Sequence, residues 1–174
     1  MKRKIACILA LLVLAAATPI SAGSLTYERM LQGWLHSVEH LEADTVFYGD
    51  SLTEGGDWES LFPEWDLVNF GVVGDTIDNL VYRMPLLTTL MPAEVFVLVG
   101  INDMIYGCII EDMMTSYREL FDALAALSAD IYVESLLPVR ADRAESLGFD
   151  NADIQAVNRQ LASLAADYGF AFID

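Results

Sequence analysis

Glu94-Val95-Phe96-Val97-Leu98-Val99 runs straight into Gly100-Ile101-Asn102-Asp103. The first six residues are mostly apolar and β-branched, and the run is too short for a helix. That is how a strand buried on both faces reads. Gly100 ends it, and asparagine and aspartate follow where a loop must begin. Thr45-Val46-Phe47-Tyr48 does the same, stopping at Gly49-Asp50-Ser51-Leu52. Asp66-Leu67-Val68-Asn69-Phe70 stops at Gly71-Val72-Val73-Gly74-Asp75-Thr76. Asp130-Ile131-Tyr132-Val133-Glu134-Ser135 is a fourth run, and Tyr168 to Ile173 a fifth.

Helical spacing fills the intervals. Leu31, Trp34, Leu35, Val38 and Leu41 share one face of a segment from Leu25 to Leu41. Ile77 to Leu90 is a second helical segment, with Pro85 a kink or boundary inside it. Glu111 to Leu127 is a third and opens with the acidic pair Glu111 and Asp112, which a helix N-terminus favours. Asn151 to Asp167 is a fourth, with Ile154, Val157, Leu161 and Leu164 on one side and Gly169 to end it. Strands alternating with helices predict a parallel sheet covered on both faces. The expected fold is α/β, a three-layer α/β/α sandwich of flavodoxin type with a five-stranded parallel sheet. No helical segment follows the fifth strand, so the C-terminal part of such a fold is expected to be missing from the 174 residues.

The first 22 residues read differently. Lys2, Arg3 and Lys4 precede an apolar run from Ile5 to Ala17, and Thr18-Pro19-Ile20-Ser21-Ala22 supplies small residues suited to cleavage. This is the layout of a secretory signal peptide, and the apolar run is short of the roughly 20 residues that span a bilayer. The expected organisation is a signal peptide over 1–22 and one domain over 23–174. The domain is expected to be secreted or periplasmic, with no stable membrane association after cleavage. Cleavage would remove three of the nine Lys and Arg residues and none of the 26 Asp and Glu, from a chain already at −17. Such a charge argues against nucleic acid as a partner. Cys108 would be the one cysteine left, so no intramolecular disulfide is expected.

The strand ends carry the chemistry. In open α/β sheets ligands bind at the carboxyl ends of the strands. Ser51 follows a buried strand at a turn marked by Gly49, where a hydroxyl is exposed and backbone N–H groups are unpaired. Gly74 can present a second N–H, because nothing on its α-carbon blocks a close approach. Asn102 can present a neutral amide donor. A serine nucleophile with three donors from three successive strand ends is suited to stabilising an oxyanion. Each piece alone is ordinary turn chemistry; the weight lies in their coming in order at three strand ends.

With these blocks in place, Gly49-Asp50-Ser51-Leu52-Thr53-Glu54-Gly55, Asn69-Phe70-Gly71-Val72-Val73-Gly74-Asp75-Thr76 and Gly100-Ile101-Asn102-Asp103, the sequence resembles the SGNH hydrolases, the GDSL lipase and esterase family. Ser135-Leu136-Leu137-Pro138-Val139 adds to the likeness, which spans Val46 to Asp174. The resemblance implies hydrolysis of an ester or O-acetyl group through an acyl-serine, with Ser51 as nucleophile. The Ser51 N–H, the Gly74 N–H and the Asn102 side chain would form the oxyanion hole. Asp50, Asp75 and Asp103 would act as structural acceptors behind the active loops. No metal and no organic cofactor are implied. A short-chain acyl ester, of a small molecule or a carbohydrate, is the expected substrate.

The family's catalytic histidine lies in an Asp-x-x-His block after the fifth strand. Phe172-Ile173-Asp174 resembles that strand, so no catalytic His is present in the 174 residues and the sequence is expected to be truncated before the block. An almost inactive chain is the consequence, since loss of a triad base costs on the order of 10⁶-fold. His36 and His40 are spaced as helix neighbours but have no evident third metal ligand. Two other functions stay open: a non-catalytic binding module on the same fold, and a flavodoxin-type phosphate binder. The acids Asp50, Glu54 and Asp57 around Ser51 disfavour an anionic ligand. Trp58 and Trp65 are open between core packing and a sugar-stacking role, and Cys108 reads as a small buried apolar residue.

Overall fold

The computed structural model describes residues 25–140, 143 and 146–174. The leader expected over 1–22 lies outside the described residues. Among them the chain forms five strands: β1 (Thr45–Gly49), β2 (Leu67–Gly71), β3 (Glu94–Leu98), β4 (Asp130–Glu134) and β5 (Ala171–Ile173). They make one parallel sheet in the order β2-β1-β3-β4-β5, with Gly49 level with both Gly71 and Leu98. This is the expected α/β architecture. The fifth strand is shorter than its sequence suggests, because the preceding helix continues through Tyr168 and closes on Gly169 in the left-handed conformation. The Phe170 N–H bonds back to the Ala165 carbonyl, so only three residues are left to pair with β4.

The helices are α1 (Leu25–Val38), α2 (Ser51–Glu54), α3 (Trp58–Leu61), α4 (Ile77–Tyr82), α5 (Pro85–Leu90), α6 (Ile101–Ile105), α7 (Ile110–Ala125) and α8 (Asn151–Tyr168). Pro85 divides the Ile77–Leu90 segment into two, since it begins α5 at a position where its missing N–H is not needed. Strand side chains alternate, so Val46 and Tyr48 face one layer and Phe47 the other. The Tyr48 hydroxyl bonds the Leu80 carbonyl of α4, on the face that carries α7 and α8. There the core is continuous: Val46, Val95, Val97, Leu120, Phe121, Val157 and Leu161 are all buried.

The other face is thinner. Phe47 stacks on Trp58 at 4.0 Å, next on Phe96, and Phe96 on Tyr132 at 4.5 Å, so the rings form a ladder across β1, β3 and β4. Helix α3 and Trp65 cover the β1 end of that ladder. Over β4 and β5 no helix lies on this face among the described residues, and Ala171 and Ile173 are exposed. The three layers are therefore unequal.

Candidate active site

Every strand points the same way, so the loops after β1, β2 and β3 gather at one edge of the sheet. The first is held tightly. Asp50 caps α2, its carboxylate accepting the Leu52 N–H at 2.9 Å, and its own N–H reaches the Leu98 carbonyl of β3 at 3.3 Å. Helix α2 can fold back onto the strand only because Gly49 lacks a side chain. A Cβ there would stand 2.1 Å from Thr53 Oγ1 and 2.3 Å from the Leu98 carbonyl oxygen. The far end of α2 is also pinned, since Asn69 Nδ2 and Trp58 Nε1 both donate to the Thr53 carbonyl, at 2.9 and 2.7 Å. Asn69 Oδ1 accepts the Gly71 N–H in turn. Ser51 sits at the first position of this short helix, half-buried, and its hydroxyl makes no hydrogen bond among the described residues.

The second loop is tied to the first. The Val72 N–H donates to the Gly49 carbonyl at 3.0 Å. The Asp75 N–H closes a turn on the Val72 carbonyl, with Gly74 at φ 81° inside it. That conformation suits glycine and few other residues. The N–H groups of Ser51 and Gly74 make no hydrogen bond among the described residues.

Arg83 locks the two loops together from below. It is wholly buried, with Nε on Asp75 Oδ2 at 2.7 Å, Nη1 on the Phe70 carbonyl at 2.7 Å and Nη2 on the Gly49 carbonyl at 2.8 Å. Its guanidinium lies 4.3 Å from the centre of the Tyr48 ring. An arginine at a helix end can stand in solvent or pair with a nearby acid, and Arg83 is the partner of Asp75. Tyr27 of α1 completes the cluster, its hydroxyl donating to Asp75 at 3.2 Å.

The third loop supplies Asn102, buried in α6. Its Nδ2 donates to the Asp75 carbonyl at 2.8 Å, which fixes the amide plane and leaves a second N–H hydrogen. Its neighbour Asp103 accepts the Ile77 N–H at 3.2 Å, seating the start of α4.

Three buried carboxylates and one buried cation make this edge electrostatically uneven. Burial pushes the Asp50 carboxyl up to about 6, against the opposing Leu52 N–H. Burial likewise pushes Asp103 up to about 7, with Asp78 and Asp50 adding to the rise and the Ile77 N–H opposing it. Burial raises Asp75 as well, while Arg83, Asn79 and Tyr27 pull it back. One oxygen of Asp50, Oδ2, is buried without a partner. A neutral Asp50 carries its proton there without leaving a bare charge.

Ser51, Gly74 and Asn102, with Asp50, Asp75 and Asp103 beside them, thus fall on one edge. The two histidines do not. Tyr27 at the start of α1 touches Asp75, and His36 lies nine residues further on, roughly 13 Å along the helix axis. The His36 side chain is 80% exposed and pairs with Glu39, and His40 packs edge-on against it. Both line a cavity of about 470 Å³ along the outer edge of β2, beside Trp34, Leu41 and Val68. Ser51, Gly74 and Asn102 do not line it. Among the described residues no group of acidic, histidine or cysteine side chains is disposed to hold a metal ion. Trp58 packs in the ring ladder and caps α2, while Trp65 stacks on Phe62 at 4.5 Å. Cys108 is half-buried rather than buried, because its loop lies at the surface.

A model of the family described as GDSL-like lipase/acylhydrolase matches residues 47–174. An N-acylneuraminate cytidylyltransferase from Streptococcus agalactiae is 26% identical over 133 residues, 76% of this chain and 30% of that protein. The chain therefore spans about a third of the length of the curated relatives it matches. Among solved structures, a Streptococcus pneumoniae protein provisionally described as a platelet activating factor superposes with a TM-score of 0.72 at 22% identity, over 84% of this chain and 73% of that one. An acetylxylan esterase from Geobacillus stearothermophilus superposes with a TM-score of 0.63 at 17% identity, over 77% and 76% of the two chains.

Proposed function

Because the chain belongs to the GDSL-like lipase/acylhydrolase family, enzymes that hydrolyse esters, we propose that Ser51 attacks the carbonyl carbon of a short-chain acyl ester. The acyl group is of acetyl type and the alcohol a small molecule or carbohydrate. The Ser51 oxygen bonds to the carbonyl carbon and passes its proton to a water molecule, which later protonates the alcohol oxygen, and the carbonyl π pair moves onto oxygen. The Ser51 N–H, the Gly74 N–H and the free hydrogen of Asn102 Nδ2 stabilise that oxyanion. Collapse breaks the bond to the alcohol oxygen, which leaves protonated, and water then releases the acid from the acyl-serine.

The observation that carries this reading is the 2.8 Å hydrogen bond from Asn102 to the Asp75 carbonyl. It fixes an amide donor beside two unpaired backbone donors before any substrate arrives, and preorganised donors are the largest single contribution to such catalysis. The acetylxylan esterase of the same fold is compatible with an acetylated carbohydrate as substrate. Residues 1–22 support export to the periplasm or beyond the cell. The excess of acidic residues supports partners other than nucleic acid.

Neither histidine of the sequence stands beside Ser51, and this favours a second reading, a binding module that retains the pocket without turnover. On the first reading water stands in for the base in both steps, so acylation and deacylation are both slow. Reaction with an ethyl fluorophosphonate, followed by intact mass, separates the two. One phosphonyl adduct on the protein and none on Ser51→Ala supports the esterase. A protein that stays unmodified at millimolar probe, yet melts at a higher temperature with acetylated oligosaccharide, supports the binding module.

A further inference from the structure

Helix α1 lies outside residues 47–174, the span that carries the family likeness, yet it reaches the candidate site. Tyr27 in its first turn is buried, its ring edge-on to Trp34 and Tyr82. Burial pushes the phenol well above its ordinary range, so the hydroxyl keeps its hydrogen. That hydrogen is shared between the two Asp75 carboxylate oxygens, at 3.2 and 3.3 Å. Asn79 Nδ2 at 3.1 Å and Arg83 Nε at 2.7 Å also donate to this carboxylate, but they sit on α4 and its C-cap, four and eight residues after Asp75. They move with the loop they hold. Tyr27 comes from 48 residues earlier and fixes the carboxylate from a separate helix.

The Asp75 main chain belongs to the oxyanion edge at both of its polar groups. Its carbonyl accepts the Asn102 amide at 2.8 Å, and its N–H closes the turn that contains Gly74. A tilt of Asp75 therefore swings the acceptor on which the Asn102 amide is aimed. We propose that Tyr27 is a positioning residue for the oxyanion hole, holding Asp75 so that its carbonyl keeps the Asn102 amide in place. The inference rests on the ester-hydrolase reading of the Ser51 edge and deepens it by adding a residue that acts through Asp75. The next residue of the same helical turn supplies a contrast. The Tyr82 hydroxyl donates to the Glu28 carboxylate, which ties α1 to α4 through residues other than Asp75. Loss of that contact loosens the helix and spares the hole.

The test follows modification of Ser51 by an ethyl fluorophosphonate, by intact mass, with a melting curve for each protein. The proteins are wild type, Tyr27→Phe, Tyr82→Phe, Asn102→Ala and the double variant Tyr27→Phe, Asn102→Ala. Tyr27→Phe keeps the ring packing and is expected to react about tenfold more slowly than wild type, since the donor is misaimed rather than removed and a misplacement of about 1 Å costs up to about 10²-fold. Tyr82→Phe is expected to react at the wild-type rate even where it melts lower. On the Asn102→Ala background the effect of Tyr27→Phe should shrink to about twofold or less, because the group it aims is gone. A role in stability alone gives a different pattern. Both tyrosine variants would then slow in proportion to their lost melting temperature, and the loss from Tyr27→Phe would persist undiminished on the Asn102→Ala background; either result overturns the proposal. So does a Tyr27→Phe that reacts as fast as wild type, and so does one that fails to fold, since its hydroxyl then holds the fold rather than the donor. If wild type itself stays unmodified at millimolar probe, the ester-hydrolase reading fails and the positioning role falls with it.

Discussion

The Asn102 amide and the Asp75 carbonyl meet across 2.8 Å, and this contact joins the loop after β3 to the loop after β2. It spends one of the two amide hydrogens on positioning and leaves the other for the oxyanion. Asn102→Ala removes both. Phosphonylation of Ser51 is expected to slow by about 10²- to 10³-fold, the range seen when one oxyanion donor is removed. Stability should fall by only about 1 kcal/mol, the net worth of one hydrogen bond. Asn102→Asp keeps the shape but places an anion against the developing oxyanion, so it should react more slowly than the alanine variant. Second-order rates from intact-mass time courses decide the order; a variant as fast as wild type removes Asn102 from the hole.

Arg83 carries the most structure per residue at this edge. Arg83→Met leaves the Asp75 carboxylate buried without its cation and frees the Phe70 and Gly49 carbonyls. Breaking a buried pair from one side costs about 3–5 kcal/mol, and urea unfolding midpoints should fall accordingly. Arg83→Lys restores the charge but not the planar fork that meets three acceptors, so it should fall between. Asp75→Asn on the methionine background should recover part of the loss, because the orphaned charge is then gone. If Arg83→Met unfolds at the wild-type urea concentration, the cluster does not stabilise the edge.

What could be read from the sequence follows from how local each signal is. β3 is legible because six consecutive residues declare it, and Pro85 announces the break between α4 and α5. Helices α2, α3 and α6 are not legible. Each has four or five residues, too few to show a helical period, and each is set by the strand end it follows rather than by its own side chains. The sequence alone starts β5 too early, because Tyr168 and Phe170 are as β-prone as Phe172. What decides is the Gly169 cap, which holds the helix to Tyr168. Arg83 shows the limit most clearly. An arginine at a helix end usually faces water, and its burial depends on acceptors at Gly49, Phe70 and Asp75 that only the folded chain brings together. Of the candidate site, the residue types at the strand ends were legible, and the lock beneath them was not.

Gly49 tests how closely α2 must pack. Gly49→Ala forces its Cβ against Thr53 Oγ1 and the Leu98 carbonyl. Overpacking of this kind costs typically 1–3 kcal/mol, and the upper end is expected because one of the two obstacles is backbone. Thr53→Ala on the same background removes the hydroxyl clash and leaves the carbonyl, so it should rescue about half of the loss. Thermal unfolding of the single and double variants reads this directly. A harmless Gly49→Ala would mean that α2 can lift off the strand at little cost.

The buried acids set the pH dependence of stability. Asp50 and Asp103 hold their protons up to about 6 and about 7, well above the ordinary value of 3.8. Between the unfolded and folded values the native state binds more protons than the unfolded chain, so stability falls as pH rises through that window. The contribution is complete below about pH 4 and gone above about pH 7. Asp75 is raised by burial as well and adds to the trend in the same direction, with Arg83 holding the rise back. The protein is therefore expected to melt at a higher temperature at pH 5 than at pH 8, by on the order of 5 °C. Asp103→Asn keeps an acceptor for the Ile77 N–H and cannot ionise, so it should gain most at pH 8 and shrink the difference. Melting curves at pH 5, 6, 7 and 8 on both proteins check this. A wild type whose melting temperature rises from pH 5 to pH 8 would mean that Asp50 and Asp103 are ionised and compensated in the fold, with Arg83 serving all three aspartates.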